Sequence, residues 1–208
     1  MEDSQKIEAI REWLGTGSIN IFGRPFAGKD THGRELVALF NGVLLGGGDI
    51  LRNSEIPAHV TELIRAGKLA PTEDYIKIVL PYLSRDEFKQ KPLILSSVGR
   101  WHGEEEGVLE ATEASGHPIK AVVYLNIDEV AVRARWSSKN HVGERGERHD
   151  DTEEILEIRL AEYREKTLPV IDFYREHGLL IEVDSALEKH VVLELILDAL
   201  YDLSRQEA

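Results

Sequence analysis

Residues 23–31 read GRPFAGKDT, a glycine-rich segment that ends in a lysine, an aspartate and a threonine. Gly23 and Gly28 bracket four residues, Lys29 follows directly, and Thr31 comes two positions later. This is the spacing of the phosphate-binding loop G-x-x-x-x-G-K-[ST], with one residue inserted before the hydroxyl. The segment therefore predicts a strand, a tight loop and a helix that meet around one anion. A glycine turn without a ligand is the alternative interpretation.

The sequence on both sides of the loop fits that prediction. SINIF (18–22) is a short β-prone run, and GRELVALFNG (33–42) has the apolar spacing of a helix. A helix N-terminus carries partial positive charge and unpaired N–H groups, which bind phosphate. We expect Lys29 to reach the β- and γ-phosphates of a nucleotide, and the Thr31 hydroxyl to hold phosphate and Mg²⁺, partly through water. Asp30 would repel phosphate, so its side chain is expected to point toward the helix N-terminus or solvent.

The composition disfavours several classes of protein. The formal net charge is −13 over 208 residues, whereas nucleic-acid-binding surfaces are usually basic. The chain has no cysteine, which excludes disulfides and thiolate chemistry. No apolar run approaches the roughly 18 residues of a membrane span, and the acidic, amphipathic start is unlike a secretory signal. We expect a cytoplasmic monomer that binds small nucleotides and binds neither nucleic acid nor membranes.

Strand-like and helix-like segments alternate along the chain. Short apolar runs are predicted as strands at 18–22, 43–47, 92–98, 119–127 and 179–183. Amphipathic segments are predicted as helices at 4–14, 33–42, 54–67, 72–84, 104–115, 128–137, 152–176 and 186–203. This alternation implies a parallel sheet covered by helices on both faces. The polar stretch 137–151 has no apolar period, and it fits either a mobile loop over a site or a solvated connection.

From about residue 18 onward the chain resembles the adenylate kinase and nucleoside monophosphate kinase family. GRPFAGKDT matches the family loop G-x-P-G-x-G-K-G-T, and GGGDILR (46–52) is similar to T-G-D-x-L-R. AGKLAP (66–71) is similar to G-x-L-V-P, and SSVGR (96–100) to D-G-F-P-R. The most specific match is the segment 148–174. Its residues in register with the family are Arg148, Asp150, Asp151, Arg159, Tyr163, Thr167, Pro169 and Tyr174.

The resemblance implies an α/β fold with a five-stranded parallel sheet flanked by helices, of the P-loop nucleoside triphosphate hydrolase type, in one kinase domain over 1–208. Two mobile segments are expected: a monophosphate-binding lobe at 46–80 and a short lid over ATP at 136–150. Only ten residues separate Lys139 from Asp150, which leaves no room for a zinc-bearing hairpin. The activity implied is transfer of the γ-phosphate of MgATP to a nucleoside monophosphate, with AMP as the first choice.

The resemblance also implies which residues form the site. Contacts to ATP are expected from the loop and the entry to the lid: Gly23, Pro25, Ala27, Gly28, Lys29, Asp30, Thr31, Arg135 and Lys139. Contacts to the monophosphate are expected from Gly47, Asp49, Arg52, Gly67, Leu69, Arg100 and Glu104. Positive charge around the transferring group would come from Lys29, Arg100, Arg148 and Arg159. Arginine suits this role because its planar guanidinium donates two parallel hydrogen bonds to phosphate.

Three positions depart from the family pattern. Ser96 replaces an aspartate that helps to organise the Mg²⁺ shell, Gly47 replaces a base-contacting threonine, and Glu104 replaces a base-reading glutamine. If Glu104 faces the base, an ionised carboxylate could only accept hydrogen bonds, which would make uracil and thymine poor bases. The alternative is that Glu104 points to solvent and that base selection rests on shape and on main-chain contacts near Gly67–Pro71. Two alternatives stay open: a kinase for a non-nucleotide acceptor that carries phosphate, and a nucleotide-binding module with little catalysis. His32, beside the loop, is expected on the helix surface.

Overall fold

The structure is a computed structural model that describes residues 3–47, 50, 53–65, 72–142 and 152–206. Its strands are β1 Ser18–Gly23, β2 Val43–Gly46, β3 Leu93–Ser96, β4 Ile119–Asn126 and β5 Leu180–Asp184. They form one sheet in the order β2-β3-β1-β4-β5. All neighbouring strands run parallel, so the chain must cross over the sheet between them. The five-stranded parallel sheet predicted from the sequence is confirmed.

Helices connect the strands. The described α-helices are α1 Asp3–Leu14, α2 Lys29–Phe40, α3 Ala58–Arg65, α4 Thr72–Leu83, α5 Glu105–Ala114, α6 Glu129–Val142, α7 Glu153–Glu162, α8 Leu168–Glu176 and α9 Lys189–Gln206. A 3₁₀-helix covers Asp86–Phe88, and a π-helical turn covers Tyr163–Thr167. None of the described helices is long and apolar enough to cross a membrane.

The central strand β1 is buried along its whole length and separates two apolar cores. Ile19 and Ile21 face one core, where α1, α2, α6, α7 and α9 contribute side chains. Phe22 faces the other core, which α4, α5 and α8 complete. Because side chains alternate across a strand, one apolar run supplies both faces of the sheet. Helices therefore cover both faces, as the alternation along the chain predicted.

The N-terminal helix α1 belongs to the first of these cores. Ile10 and Leu14 are buried there, and Lys6 forms an ion pair with Asp198 of α9. A glycine turn then leads the chain directly into β1, where the amide of Gly17 donates to the carbonyl of Leu14. The helix thus packs against the C-terminal helix and holds the start of the central strand.

Two helical predictions differ from the structure. The helix predicted over 128–137 continues to Val142, so the polar stretch begins as helix. The Ser138 hydroxyl donates to the Ala134 carbonyl one turn back, which lets a polar residue continue the helix. The helix predicted over 152–176 is interrupted by the π-helical turn, where the amide of Leu168 donates to the carbonyl of Tyr163. Pro169 lacks an N–H and would clash with the carbonyl four residues back, so a wider turn accommodates it.

Candidate active site

The glycine-rich loop joins β1 to α2, as predicted. Gly28 has φ +99° and precedes α2 without a side-chain cap, so this position favours glycine and leaves the first N–H groups of α2 uncapped by its side chain. A Cβ at Gly23 would lie 2.8 Å from the carbonyl oxygen of Leu125 and 2.9 Å from the Cβ of Ala27. The two glycines thus allow a tight loop at the carboxyl edge of the sheet, where open α/β folds bind ligands.

Lys29 folds back across this loop. Its Nζ donates to the carbonyl of Gly23 at 2.7 Å and to the carbonyl of Arg24 at 3.0 Å. The ammonium is therefore held over the loop by two neutral acceptors. A phosphate bound there would meet this charge together with the N–H groups at the start of α2.

His32 does not lie on the helix surface, and that expectation is wrong. It is 4% exposed, and its Nδ1 lies 2.9 Å from Oε2 of Glu35. Glu35 also pairs with Lys189 at the start of α9, which buries this side of α2. Burial lowers the pKa of His32, while Glu35 opposes that shift. A Cβ built on Gly28 would lie 3.4 Å from the His32 ring, so the histidine packs directly against the end of the glycine loop.

Two arginines join the loop to the neighbouring strand ends. Arg135 donates to the carbonyl of Phe26 at 3.2 Å and also to the carbonyl of Ser185, just beyond β5. Arg24 donates to the carbonyl of Ile127 at 2.8 Å. The structure therefore brings Arg135 to the phosphate loop, the side on which the sequence placed it. Arg24 was not predicted as a site residue.

A second loop, 97–100, leaves β3 beside the first one. Its course is set by Asn20, a buried residue of β1 whose side-chain amide donates to the Val98 carbonyl at 2.8 Å and accepts from the Val98 amide at 3.3 Å. The amide of Ser97 donates to the carbonyl of Ile21 at 3.0 Å. Gly99 follows at φ +67°, and a Cβ there would collide with Val108. The loop ends at Arg100, an exposed cation at the same edge of the sheet as Lys29.

Gly47 has a packing reason to be glycine. A Cβ at this position would lie 2.9 Å from the carbonyl oxygen of Ser97, so the end of β2 approaches the second loop closely. A threonine would require one of the two backbones to move. The base contact that a threonine makes in the family is thus replaced here by a close backbone approach.

Glu104 lies next to this second loop at the start of α5. Its Oε2 accepts a hydrogen bond from the Trp101 amide at 3.3 Å. Burial raises the pKa of Glu104 to about 7, although the Trp101 amide and Arg100 oppose the shift. A pKa near 7 makes both the neutral and the ionised carboxyl accessible near neutral pH, whereas the prediction from the sequence considered the ionised form alone. The neutral form both donates and accepts, as a glutamine amide does.

Asp30 points toward the end of β3. The hydroxyl of Ser96 donates to Oδ1 of Asp30 at 3.2 Å, while the aspartate as a whole stays exposed. The expected exposure is confirmed, but the bond to Ser96 was not predicted. Asp30 and Ser96 thus place oxygen atoms side by side at the loop, and Thr31 follows Asp30 in the sequence.

These oxygen atoms fit Mg²⁺. The ion prefers oxygen ligands, and it is usually held by one or two protein groups together with the phosphates of the substrate. In the part of the chain that the structure describes, no group of three or more His, Cys, Asp or Glu residues could hold a metal by itself. The few oxygen ligands near Asp30 therefore fit a Mg²⁺ ion whose other ligands come from the phosphates of a bound nucleotide and from water.

Arg159 is half-buried on α7. Tyr163 follows four residues later on the same side of the helix, and the guanidinium of Arg24 lies 5.0 Å from its ring centroid. This side of α7 thus turns toward the phosphate loop. Other predicted positions lie outside the described residues, namely Asp49, Arg52, Gly67, Leu69 and Arg148. For Lys139 only the backbone is described, as part of α6.

Sequence reasoning missed three residues that shape the site. Asn20 could have been noticed, because a polar residue stands inside the otherwise apolar run SINIF. Arg24 carries a charge within the glycine loop itself. Thr167 donates to the carbonyl of Arg100 at 3.0 Å, a contact between distant segments that no local pattern indicates.

Comparisons with known proteins agree with this geometry. A sequence model of the adenylate kinase family matches residues 21–179. The adenylate kinase of Clavibacter michiganensis subsp. michiganensis is 33% identical over 185 residues, which cover 86% of this chain and 90% of that protein. The adenylate kinase of Nitrobacter winogradskyi is 32% identical, with 80% of this chain and 84% of that protein covered. The adenylate kinase of Thermosipho africanus is 27% identical, with 85% and 95% covered.

The matched region covers the loops assembled at the carboxyl edge of the sheet. It begins within β1, continues through both loops and α7, and ends at residue 179, directly before β5. It includes Lys29 over the phosphate loop and Arg100 on the second loop. Members of this family are phosphotransferases that use ATP with Mg²⁺. The chain therefore belongs to the adenylate kinase family.

Proposed function

We propose that this chain transfers the γ-phosphate of MgATP to AMP and produces two molecules of ADP. The observation that carries the proposal is the arrangement of two loops on adjacent strands. The phosphate loop with Lys29 follows β1, and the loop with Arg100 follows β3. Asn20 and Ile21 of β1 hold the second loop in place through hydrogen bonds with Val98 and Ser97. Two anion sites at one sheet edge suit a reaction between two phosphorylated substrates.

The proposed site residues fall into three groups, which bind ATP, the acceptor phosphate and the transferring phosphoryl group. Lys29 and the start of α2 would hold the β- and γ-phosphates, and Arg135 and Lys139 would bind on the ATP side. Arg100 would hold the acceptor phosphate together with Arg52. Arg148 and Arg159 would place positive charge around the transferring group. This distribution stabilises the charge of the transition state without covalent help from the protein.

The transfer itself exchanges one phosphorus–oxygen bond for another. An oxygen of the acceptor phosphate forms a bond to the γ-phosphorus as the bond to the β,γ-bridging oxygen breaks, and the electron pair leaves on the β-phosphate. Bound Mg²⁺ would neutralise negative charge on the phosphates of ATP. Thr31 would orient that ion through its hydroxyl, partly through water. The protein's contribution is to align the two substrates and to exclude water from the γ-phosphate.

We further propose that two segments close over the substrates. The lobe 46–80 would cover the monophosphate, and the short lid 136–150 would cover ATP. The lid begins within α6, which also supplies Arg135, so closure would act on a helix already tied to the phosphate loop. Hydrogen exchange with a bisubstrate analogue should increase protection in both segments. Equal protection without the analogue would argue against closure.

AMP is the proposed acceptor because neutral Glu104 offers both a donor and an acceptor to a base. The adenine edge presents its N6 amino group as donor and N1 as acceptor, so it complements the neutral carboxyl. Cytosine offers a similar donor and acceptor pair at N4 and N3, so the family resemblance is what places AMP ahead of CMP and GMP. A non-nucleotide phosphorylated acceptor is the second candidate function. Gly47 motivates that second candidate, because the backbone approach to Ser97 leaves no room for a base-contacting side chain there.

A coupled assay with MgATP and a panel of monophosphates tests the proposal. We expect AMP to give the highest kcat/KM of the monophosphates. Turnover of a phosphorylated sugar, but of no nucleotide, would favour the second candidate. Binding of ATP without turnover of any acceptor would favour a module with little catalysis. Sedimentation at assay concentration tests the accompanying proposal of a monomer, and fractionation of cells tests that of a cytoplasmic enzyme.

A further inference from the structure

Asp30 and Ser96 form a contact between the two loops at the proposed site. Ser96 is the last residue of β3 and Asp30 is the second residue of α2. Ser96 Oγ donates to Asp30 Oδ1 at 3.2 Å, although 66 positions separate the two residues. The register of the sheet explains the proximity, because Ser96 lies opposite Ile21, two residues before the glycine loop begins. The contact therefore fixes the direction of one carboxylate at the mouth of the loop.

This carboxylate is in an unusual electrostatic position. It lies between Lys29 and Thr31, within the first turn of the helix that would receive phosphate. Two negative groups a few ångströms apart repel each other unless a cation lies between them. Among the described residues, no basic side chain pairs with Asp30, and Ser96 engages only Oδ1. Because Asp30 is exposed, its second oxygen is open to solvent and to a cation that a nucleotide brings.

We propose that Asp30, oriented by Ser96, is the carboxylate that receives the Mg²⁺ brought by the nucleotide, and that Thr31 binds the same ion. This inference rests on the proposed function, since it assumes a triphosphate in the loop. Asp30 would hold the ion or its bound water through Oδ2, while Oδ1 keeps the hydrogen bond from Ser96. An outer partner that orients a ligand in this way is common in metal sites. Ser96 is a positioning residue, and Asp30 contacts the ion or its water.

The assignment gives opposite effects with and without the metal. With Mg²⁺ present, the carboxylate attracts the complex of ion and triphosphate. Without Mg²⁺, the same carboxylate repels the bare triphosphate. Asp30→Asn should therefore weaken the binding of MgATP and strengthen the binding of metal-free ATP. A residue that acts only through protein stability, or only by repulsion, would shift both affinities in one direction.

Calorimetric titration with ATP, in Mg²⁺ and in EDTA, measures both affinities. In Asp30→Asn we expect the ratio of MgATP affinity to metal-free ATP affinity to fall roughly 10- to 100-fold, the scale for loss of an outer metal partner. Ser96→Ala should lower the same ratio by a smaller factor. The matched control is Asp202→Asn, which makes the same charge change on another exposed residue. Asp202 lies about 20 Å along α9 from Lys189, the residue of α9 that pairs with α2. The control should leave the ratio unchanged.

A double variant tests the position of the charge. The double variant Asp30→Asn with Ser96→Asp moves the carboxylate from position 30 to position 96, the other side of the hydrogen bond. It should restore much of the preference for MgATP over metal-free ATP. Paramagnetic resonance of Mn²⁺ in the nucleotide complex provides a direct readout of metal affinity and should follow the same order of variants. A ratio in Asp30→Asn equal to that of the wild type would overturn the inference.

The outcome is separable from the proposed function. If AMP is phosphorylated but the ratio is unchanged in Asp30→Asn, the metal assignment fails and the proposed function stands. If no acceptor is phosphorylated but the ratio falls as predicted, the metal assignment stands for a nucleotide-binding protein. Circular dichroism of each variant confirms folding, which is expected because Asp30 is exposed. Should Asp30→Asn fail to fold, the ratio in Ser96→Ala decides the inference in the same way.

Discussion

The hydroxyl of Thr167 donates to the backbone carbonyl of Arg100 across 3.0 Å. Next to it, the amide of His102 donates to the carbonyl of Lys166, also at 3.0 Å. Both contacts join the π-helical turn to the loop that presents Arg100. Since α7 leads into this turn from the proposed lid side, the two proposed substrate sites would share one physical connection.

Thr167→Val tests that connection. The variant loses a buried hydrogen bond, so we expect a loss of about 1 kcal/mol in the free energy of unfolding. The KM for AMP should rise about fivefold, because a misplaced Arg100 loses a comparable interaction energy with the phosphate. Steady-state kinetics with each substrate varied measures the effect. Thr167→Ser keeps the hydroxyl and should stay near the wild type, whereas an unchanged KM for AMP in Thr167→Val would contradict the prediction.

Lys29→Ala should remove most of the turnover. The ammonium lies over the loop, where it would stabilise charge on the phosphates during transfer. Loss of one preorganised charge of this kind lowers kcat by roughly 10²-fold or more. Lys89→Ala is the control, because Lys89 is a surface residue that pairs only locally with Asp86. Near-normal kcat in a folded Lys29→Ala would remove the phosphate-loop interpretation.

Arg100 and Arg135 should separate the two substrates. Arg100 follows β3 and Arg135 is hydrogen-bonded to the phosphate loop, so each cation belongs to a different site. Arg100→Ala should raise the KM for AMP much more than the KM for ATP, and Arg135→Ala should do the reverse. Arg133→Ala is the control on α6, since Arg133 pairs with Glu157 and not with the loop. An exchanged pattern would mean that the two sites are assigned the wrong way round.

Glu104 should give the enzyme a pH-dependent choice of base. Burial raises the pKa of Glu104 to about 7, with Arg100 opposing the shift and Glu105 adding to it. The neutral form complements adenine, whereas the ionised form accepts from the N1–H and N2–H₂ donors of guanine. The ratio of kcat/KM for AMP to that for GMP should therefore fall from pH 6 to pH 8. Glu104→Gln should make this ratio nearly independent of pH, and the exposed neighbour Glu106 provides the control variant Glu106→Gln.

The same group should affect stability with a defined sign. The folded protein holds the Glu104 proton up to about pH 7, while the unfolded chain releases it near the ordinary pKa of 4.5. Between these values the unfolded state binds fewer protons, so the wild type loses stability as the pH rises. Denaturant unfolding of Glu104→Gln should lack this decline. A parallel pH dependence in both proteins would show that Glu104 ionises freely in the folded state.

Local sequence patterns were sufficient for the elements around the phosphate loop. SINIF and GRPFAGKDT specify a strand and a loop through residues that are adjacent in the chain, and the structure follows them closely. The burial of His32 could not be predicted in this way. It results from the packing of α2 in the folded chain, where Glu35 bonds to His32 and pairs with Lys189 of α9, and no local pattern predicts contacts between such distant segments.

The second loop shows the same limit. The apolar run before Arg100 predicted this residue at a strand end, but the loop is held by Asn20 of β1 and by Thr167 of the π-helical turn. These partners lie 78 and 67 positions away from the residues that they hold. Pro169 predicts an irregularity in the long helix. It does not specify whether the helix ends there or continues through a wider, π-helical turn, as it does in the structure.

Transfer of a labelled γ-phosphate tests the central claim most directly. ATP labelled at the γ-phosphorus is incubated with AMP, Mg²⁺ and the protein, and the products are separated. The account predicts that the label appears in the β-phosphate of ADP formed from AMP, with one labelled and one unlabelled ADP for each ATP consumed. Release of the label as inorganic phosphate, or its retention in ATP while AMP stays unchanged, would contradict the account.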